Sequence, residues 1–274
     1  MSKRKSQPPV VMAIGGMDPS GGAGLCADIQ TLSAMGCHTA PVVTAITVQD
    51  TTGVKNFQLV ESNQVRSQME AVLNDMTVSV VKTGMLGNRG IVSVVFDVLS
   101  QWPGIQLVID PVLSSNSDER LSEHSLIGSI IQQLMPIASL ICPNVPEAAI
   151  LAGKKYLDND VDECAQALNT PDNECDCLIT GTHANSNQVI NRYYRKGSKV
   201  RDWAWQRLQF EYHGSGCTLA SAIAAGLAHG MEMEQAMDQA QQFVFNSLLA
   251  GFKPGHGQHI PYRISADPVI SRDV

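Results

Sequence analysis

Two stretches of this chain concentrate glycine just ahead of apolar, helix-compatible sequence. The first is Gly15-Gly16-Met17-Asp18-Pro19-Ser20-Gly21-Gly22-Ala23-Gly24, and the second is His213-Gly214-Ser215-Gly216-Cys217-Thr218. Glycine lets a backbone approach a ligand closely, and a helix start offers unpaired N–H groups and partial positive charge. That pairing suits anions, phosphates among them. Within the first stretch, Gly22-Ala23-Gly24-Leu25-Cys26-Ala27 fits a dinucleotide fingerprint. Its context does not: Asp18 to Gly21 separate it from the preceding strand, and Asp50 lies too far along to meet a ribose. A Walker A loop is absent from the chain. The second stretch has what phosphoryl transfer needs, backbone donors that need not move and a group near the attacking hydroxyl. Cys217, at the start of a helix, is placed for a lowered thiol pKa. Spacing alone equally allows a buried structural thiol there.

The elements that must position these stretches alternate along the chain. Strands are expected over Val10 to Ile14, Pro41 to Val48, Val78 to Lys82, Leu107 to Ile109, Leu140 to Cys142 and Leu178 to Thr180. Helices are expected over Ala23 to Met35, Val65 to Asn74, Ile91 to Ser100, Ser125 to Leu134, Pro146 to Leu151 and Val161 to Leu168. Val189 to Tyr194 and Lys199 to Trp205 alternate as a hairpin does. The last third is helical, with Leu219, Ile223 and Leu227 on one stripe, Gly230 as a cap, and Met233, Ala236, Met237, Ala240, Phe243 and Val244 on a second stripe. Such alternation predicts an α/β fold with a mostly parallel central sheet covered by helices on both faces. Ligands of such sheets bind beyond the strands' carboxyl ends. One domain is expected over residues 10–262, between tails at 1–9 and 263–274.

Composition narrows the partners. The chain has 274 residues, 44% hydrophobic and 16% charged, with a net charge of -7. This describes a globular protein and argues against a nucleic-acid partner. No apolar run is long enough for a membrane helix, and Met1 to Pro9 lacks the apolar region of a signal peptide, so a cytoplasmic protein is expected. The seven cysteines are scattered and lack zinc-site spacing, as reduced thiols would be.

Taken together and in order, several short motifs carry a resemblance. They are Asp18-Pro19-Ser20-Gly21-Gly22-Ala23-Gly24 with Ala27-Asp28, Thr44-Ala45-Ile46 with Gln49, Lys82-Thr83-Gly84-Met85-Leu86, and Asp110-Pro111-Val112. Pro143-Asn144-Val145-Pro146-Glu147-Ala148, His213 to Thr218 and Gly255-His256-Gly257 follow. The chain resembles the hydroxymethylpyrimidine and phosphomethylpyrimidine kinases of thiamin biosynthesis, in the ribokinase-like superfamily, over roughly Val10 to Ile260. The resemblance implies a three-layer ribokinase-like fold, use of ATP and Mg2+, and a homodimer acting on a small pyrimidine. It implies a ring pocket of Gly16, Asp28, Gln49, Met85 and Val112 under the first glycine stretch. It implies an anion hole of Gly214, Ser215 and Gly216 with Cys217 as base or hydroxyl-orienting group. It places Asp110, Asn144, Glu147, Thr180 and Thr218 on the ATP and phosphate side, with Glu147 and Asp110 toward magnesium, directly or through water. The sequence departs from the family pattern at Met17, at Leu113 to Asp118, and at Thr180, where a lysine is frequent. A pyridoxal-type kinase of the same fold and a non-catalytic ligand-binding relative are the rival readings.

Overall fold

The computed structural model describes residues 7–113, 124–154, 161–170, 173, 175–181 and 187–264. Strands β1 (Val10–Met17), β2 (His38–Asp50), β3 (Gly53–Leu59), β4 (Val78–Thr83) and β5 (Gln106–Ile109) belong to the first half. Strands β6 (Leu140–Ile141), β7 (Asp176–Ile179), β8 (Gln188–Arg195) and β9 (Ser198–Gln206) follow. They form one nine-stranded sheet in the order β3-β2-β1-β4-β5-β6-β7-β8-β9. The six strands from β2 to β7 pair in parallel, while β3 at one edge and β8 and β9 at the other are antiparallel.

Alternate side chains of the central strands enter two separate cores, which is why these strands are almost continuously apolar in sequence. Met12, Ile14, Val81, Ile109 and Ile141 face helices α2 (Ser62–Asp75), α3 (Arg89–Leu99), α5 (Val145–Leu151) and α6 (Val161–Leu168). Val11, Ala13, Val80, Val108 and Leu140 face α1 (Gly24–Ala34), α7 (Ser215–Ala228) and α8 (Met233–Leu249). Burying one such aliphatic side chain contributes about 1.5–3 kcal/mol, so the two cores hold the three layers together. Helix α7 ends as the sequence predicts: Gly230 has φ +80°, and the Gly230 and Met231 N–H groups close back on Leu227 and Gly226.

Three expectations change. Strand β3 is not among the expected strands: it lies at the sheet edge, fills no core, and its apolar residues follow no strict alternation. The helix expected over Ser125 to Leu134 is α-helical only at α4 (His124–Ser129). It then widens into a π turn (Ile130–Leu134) and tightens at Met135–Ile137, where Pro136 enters. Arg263, assigned to a tail, is fully buried and hydrogen-bonded into the fold. Residues 114–118 of the departing loop and 265–274 of the C-terminal stretch lie outside the described residues.

Candidate active site

The two glycine stretches meet. Gly214, the residue that caps α7, has φ +80°, and a Cβ there would lie 2.0 Å from the Gly22 carbonyl oxygen. Only glycine satisfies both the left-handed backbone and this approach. Gly24, with φ +54°, meets the Gly16 carbonyl in the same way, and its N–H is turned toward the Cys217 sulfur. The stretches that sequence separates by almost 200 residues therefore form one site, beyond the carboxyl ends of β1, β4 and β5.

The turns differ in how their amides are satisfied. In the first, Asp18 accepts from the Ser20 and Ala23 N–H groups at 2.8 Å each, and Ser20 Oγ accepts from Gly22 at 3.3 Å. In the second, no side chain caps the start of α7. The N–H groups of Ser215, Gly216 and Cys217 have no carbonyl one turn earlier within the helix, so they stay available as donors. Cys217 stands among them, half-buried. Burial is the largest influence on its thiol, and Asp110 adds to it, so the pKa is raised above the ordinary value although Lys82 pulls the other way. The lowered pKa expected from a helix start is thus overturned: desolvation outweighs the helix end and the nearby cation.

Beneath Cys217 lies a charged group that sequence reasoning missed. Lys82, on β4, is fully buried, 2.9 Å from Asp28 on α1 and 3.2 Å from Asp110 at the end of β5. Burial alone pulls the ammonium's pKa down, but Asp28 and then Asp110 outweigh it and hold Lys82 protonated. Ser221 of α7 donates to the same Asp28 oxygen at 2.8 Å. Asp28 gives Oδ1 to both Lys82 and Ser221, and the side chain, buried throughout, has no exposed surface to offer a ring, against its expected place in the pocket. A lysine within a strand pattern, such as Lys82 in Val80-Val81-Lys82-Thr83, is the signal that marked this group in the sequence.

The remaining residues fall on two sides. Gly16 packs on Met85, whose sulfur lies 3.2 Å from where a Gly16 Cβ would be, and Thr44 donates to the Met85 carbonyl. Val112 is partly exposed in the loop after β5. The Gln49 amide and Asp18 both meet Nε2 of His213, at 2.7 and 3.0 Å. The two contacts share one ring nitrogen: Nε2 accepts from the Gln49 amide nitrogen in one tautomer and donates to the Asp18 carboxylate in the other. Burial raises the Asp18 carboxyl's pKa, but donors from His213, Ser20 and Ala23 outweigh it and hold the group below its ordinary value. Met17, one of the departures, offers its sulfur to the Cys26 thiol at 3.5 Å.

On the other side, Asp110 Oδ1 lies 3.9 Å from a Cβ position on Gly216, facing the second turn. Asn144 and Glu147 form a reciprocal capping box on α5, 2.9 Å in each direction. The carboxyl of Glu147 is buried rather than exposed, and desolvation chiefly, helped by Asp110, pushes its pKa up to about 8. Thr180 continues β7 and bridges to Asn144. Thr218 departs from its expected phosphate role: its buried hydroxyl is engaged by the Gly214 carbonyl and by Arg263. Among the described residues, no three His, Cys, Asp or Glu side chains gather into a metal cage.

A three-layer fold with paired glycine turns beyond the parallel strands defines a ribokinase-like phosphotransferase. Its backbone superposes on pyridoxal kinase from Staphylococcus aureus in complex with pyridoxal with a TM-score of 0.86, at 26% identity and 96% coverage of each chain. It superposes on phosphomethylpyrimidine kinase from Clostridium difficile with a TM-score of 0.74, at 30% identity over 88% of this chain and 99% of the other. A hydroxymethylpyrimidine/phosphomethylpyrimidine kinase from Mycobacterium tuberculosis is 37% identical over 256 residues, covering 91% of this chain and 92% of its own. The chain belongs to the phosphomethylpyrimidine kinase family, whose model matches residues 18–263. No helix among the described residues is long and apolar enough to cross a membrane.

Proposed function

We propose that this kinase transfers the γ-phosphoryl group of ATP to the hydroxymethyl group of 4-amino-5-hydroxymethyl-2-methylpyrimidine, and then to its monophosphate, in thiamin biosynthesis. The observation that carries this reading is the uncapped start of α7, with Cys217 and Asp110 across it. Free N–H groups of Ser215, Gly216 and Cys217 are aimed where the transferring oxygens gain charge. The thiol of Cys217 stays protonated near neutral pH, so it orients the attacking hydroxyl rather than acting as a resident thiolate. That suffices for a loose transition state, in which positioning outweighs proton removal. The ring lies between Gly16, Met85 and Val112, and Gln49 reads its amino edge, taking over the amide that His213 also meets.

The donor set suits magnesium that arrives with nucleotide phosphates, which needs one or two carboxylates and keeps its waters. Asp110 would hold it through Oδ1, which faces Gly216 while Oδ2 is paired with Lys82, and Glu147 would do so through water. The ion would neutralise charge on the phosphate oxygens. The functional unit is a homodimer of this single domain, and the cytoplasm suits a chain whose seven cysteines form no disulfide.

The close backbone match to pyridoxal kinases favours a second reading, phosphorylation of pyridoxal, which also carries a hydroxymethyl on a flat ring. A coupled assay of ATP consumption with the pyrimidine, its monophosphate and pyridoxal in parallel separates them. Turnover is expected with the first two. Turnover confined to pyridoxal would sink the pyrimidine reading.

A further inference from the structure

Arg263 lies beyond the last helix yet reaches both glycine turns. The backbone carries it there rigidly: Phe252 and Ile260 exchange hydrogen bonds, His213 donates to His259, and Tyr262 donates to Ser247. Its guanidinium is buried. Nε donates to Thr218 Oγ1 at 2.8 Å and Nη1 to Gln30 Oε1 at 3.2 Å. Nη2 donates to the Gly22 carbonyl at 2.6 Å and to the Gly214 carbonyl at 3.4 Å. All four acceptors are neutral, and among the described residues no carboxylate stands at ion-pair distance.

We propose that Arg263 is a positioning residue for phosphoryl transfer, whose planar fork sets the orientation of the peptide planes in both turns. In a trans peptide the C=O and the following N–H point in opposite directions. Holding the Gly22 carbonyl turns the Ala23 N–H away from Arg263, where it meets Asp18 at 2.8 Å. Holding the Gly214 carbonyl likewise turns the Ser215 N–H away, to the side where it can meet a phosphoryl oxygen. Glycine resists a peptide flip poorly. The Gly22 carbonyl takes its hold from Arg263 at 2.6 Å, while the Gly214 carbonyl is also anchored by the Thr218 N–H at 3.0 Å and hydroxyl at 2.7 Å, so Arg263 fixes the first turn against the second. A lysine keeps the charge but has no fork to span two carbonyls and a hydroxyl. Burial pushes the pKa of the guanidinium down to about 10, which still leaves it cationic at neutral pH.

This rests on the kinase reading of the site, and the test keeps the two apart. Steady-state kinetics on the full chain compare wild type with Arg263→Lys and Arg263→Ala, with the folded fraction of each followed by circular dichroism. Both variants should lose about 100-fold in kcat, the size of a lost transition-state donor, with KM for the ring alcohol held within about threefold. Millimolar guanidinium should restore much of the rate of Arg263→Ala, without raising its folded fraction. A wild-type kcat in Arg263→Lys would overturn the proposal. So would a loss in Arg263→Ala that tracks the folded fraction and ignores guanidinium. Hydrogen exchange supplies a readout independent of substrate, should wild type turn over none of the alcohols. Faster exchange in Arg263→Ala, confined to the segments around 20–24 and 213–218, supports the hold. Unchanged exchange there overturns it.

Discussion

In the first glycine turn a carboxylate of the chain itself, Asp18, takes the Ser20 and Ala23 amides, whereas the second turn starts α7 with no side-chain acceptor. The turns look equivalent as glycine-rich helix starts, but one carries its own anion and the other is left to receive one. A turn whose donors are spent internally is a rigid cover. A turn whose donors are free can answer charge that appears during a reaction.

The largest test of this contrast removes the floor the two turns share. Lys82→Met leaves Asp28 under the first turn and Asp110 under the second buried without their cation. It should cost about 3–5 kcal/mol in urea unfolding. A loss near zero would mean that the two sides do not depend on a common charge. Next, Cys217→Ala should lower kcat about 100-fold while leaving the KM of the ring alcohol nearly unchanged. A normal turnover number would remove Cys217 from the chemistry and reduce the second turn to backbone alone. Gly214→Ala forces a Cβ against the Gly22 carbonyl at a positive φ, and should destabilise the fold by about 2 kcal/mol or more. Equal stability would show that the turns are not locked together.

The smallest effect belongs to the first turn. Asp18→Ala should cost about 1 kcal/mol, as loss of a cap does, and should raise the KM of the ring alcohol more than that of ATP. The reverse order of KM changes would exchange the roles of the two turns. Because Asp18 has a folded pKa below its ordinary 3.8, the stability it contributes is present above that value and fades as pH falls further. Acid unfolding curves of wild type and Asp18→Ala should therefore converge at low pH.

Much of the fold was legible because period and punctuation agree. β–α alternation, the α7 and α8 stripes and the Gly230 stop are local signals, and the apolar strands announced a sheet covered on both faces. What escaped was set by distant partners. Gly53–Leu59 pairs with β2 yet fills no core, so its residues show no strong period. Asp28 looks like a polar helix residue until Lys82 is brought beneath it from another strand. The thiol of Cys217 depends on burial, which spacing does not reveal, so a local rule about helix starts gave the wrong direction. Arg263 carries no motif, and only the path of residues 252–262 explains why a side chain so late in the chain is buried.

That path has a consequence for the order in which the molecule assembles. Arg263 and Gly22 are 241 residues apart, so their contact closes one of the longest loops the chain can make. Contacts of such separation cost the most chain entropy and reward it late. During synthesis, the sheet and most helices can form while the last segment is still being made. Competence at the second turn should then arrive as a final event. In refolding experiments, enzyme activity should lag behind the recovery of helical signal.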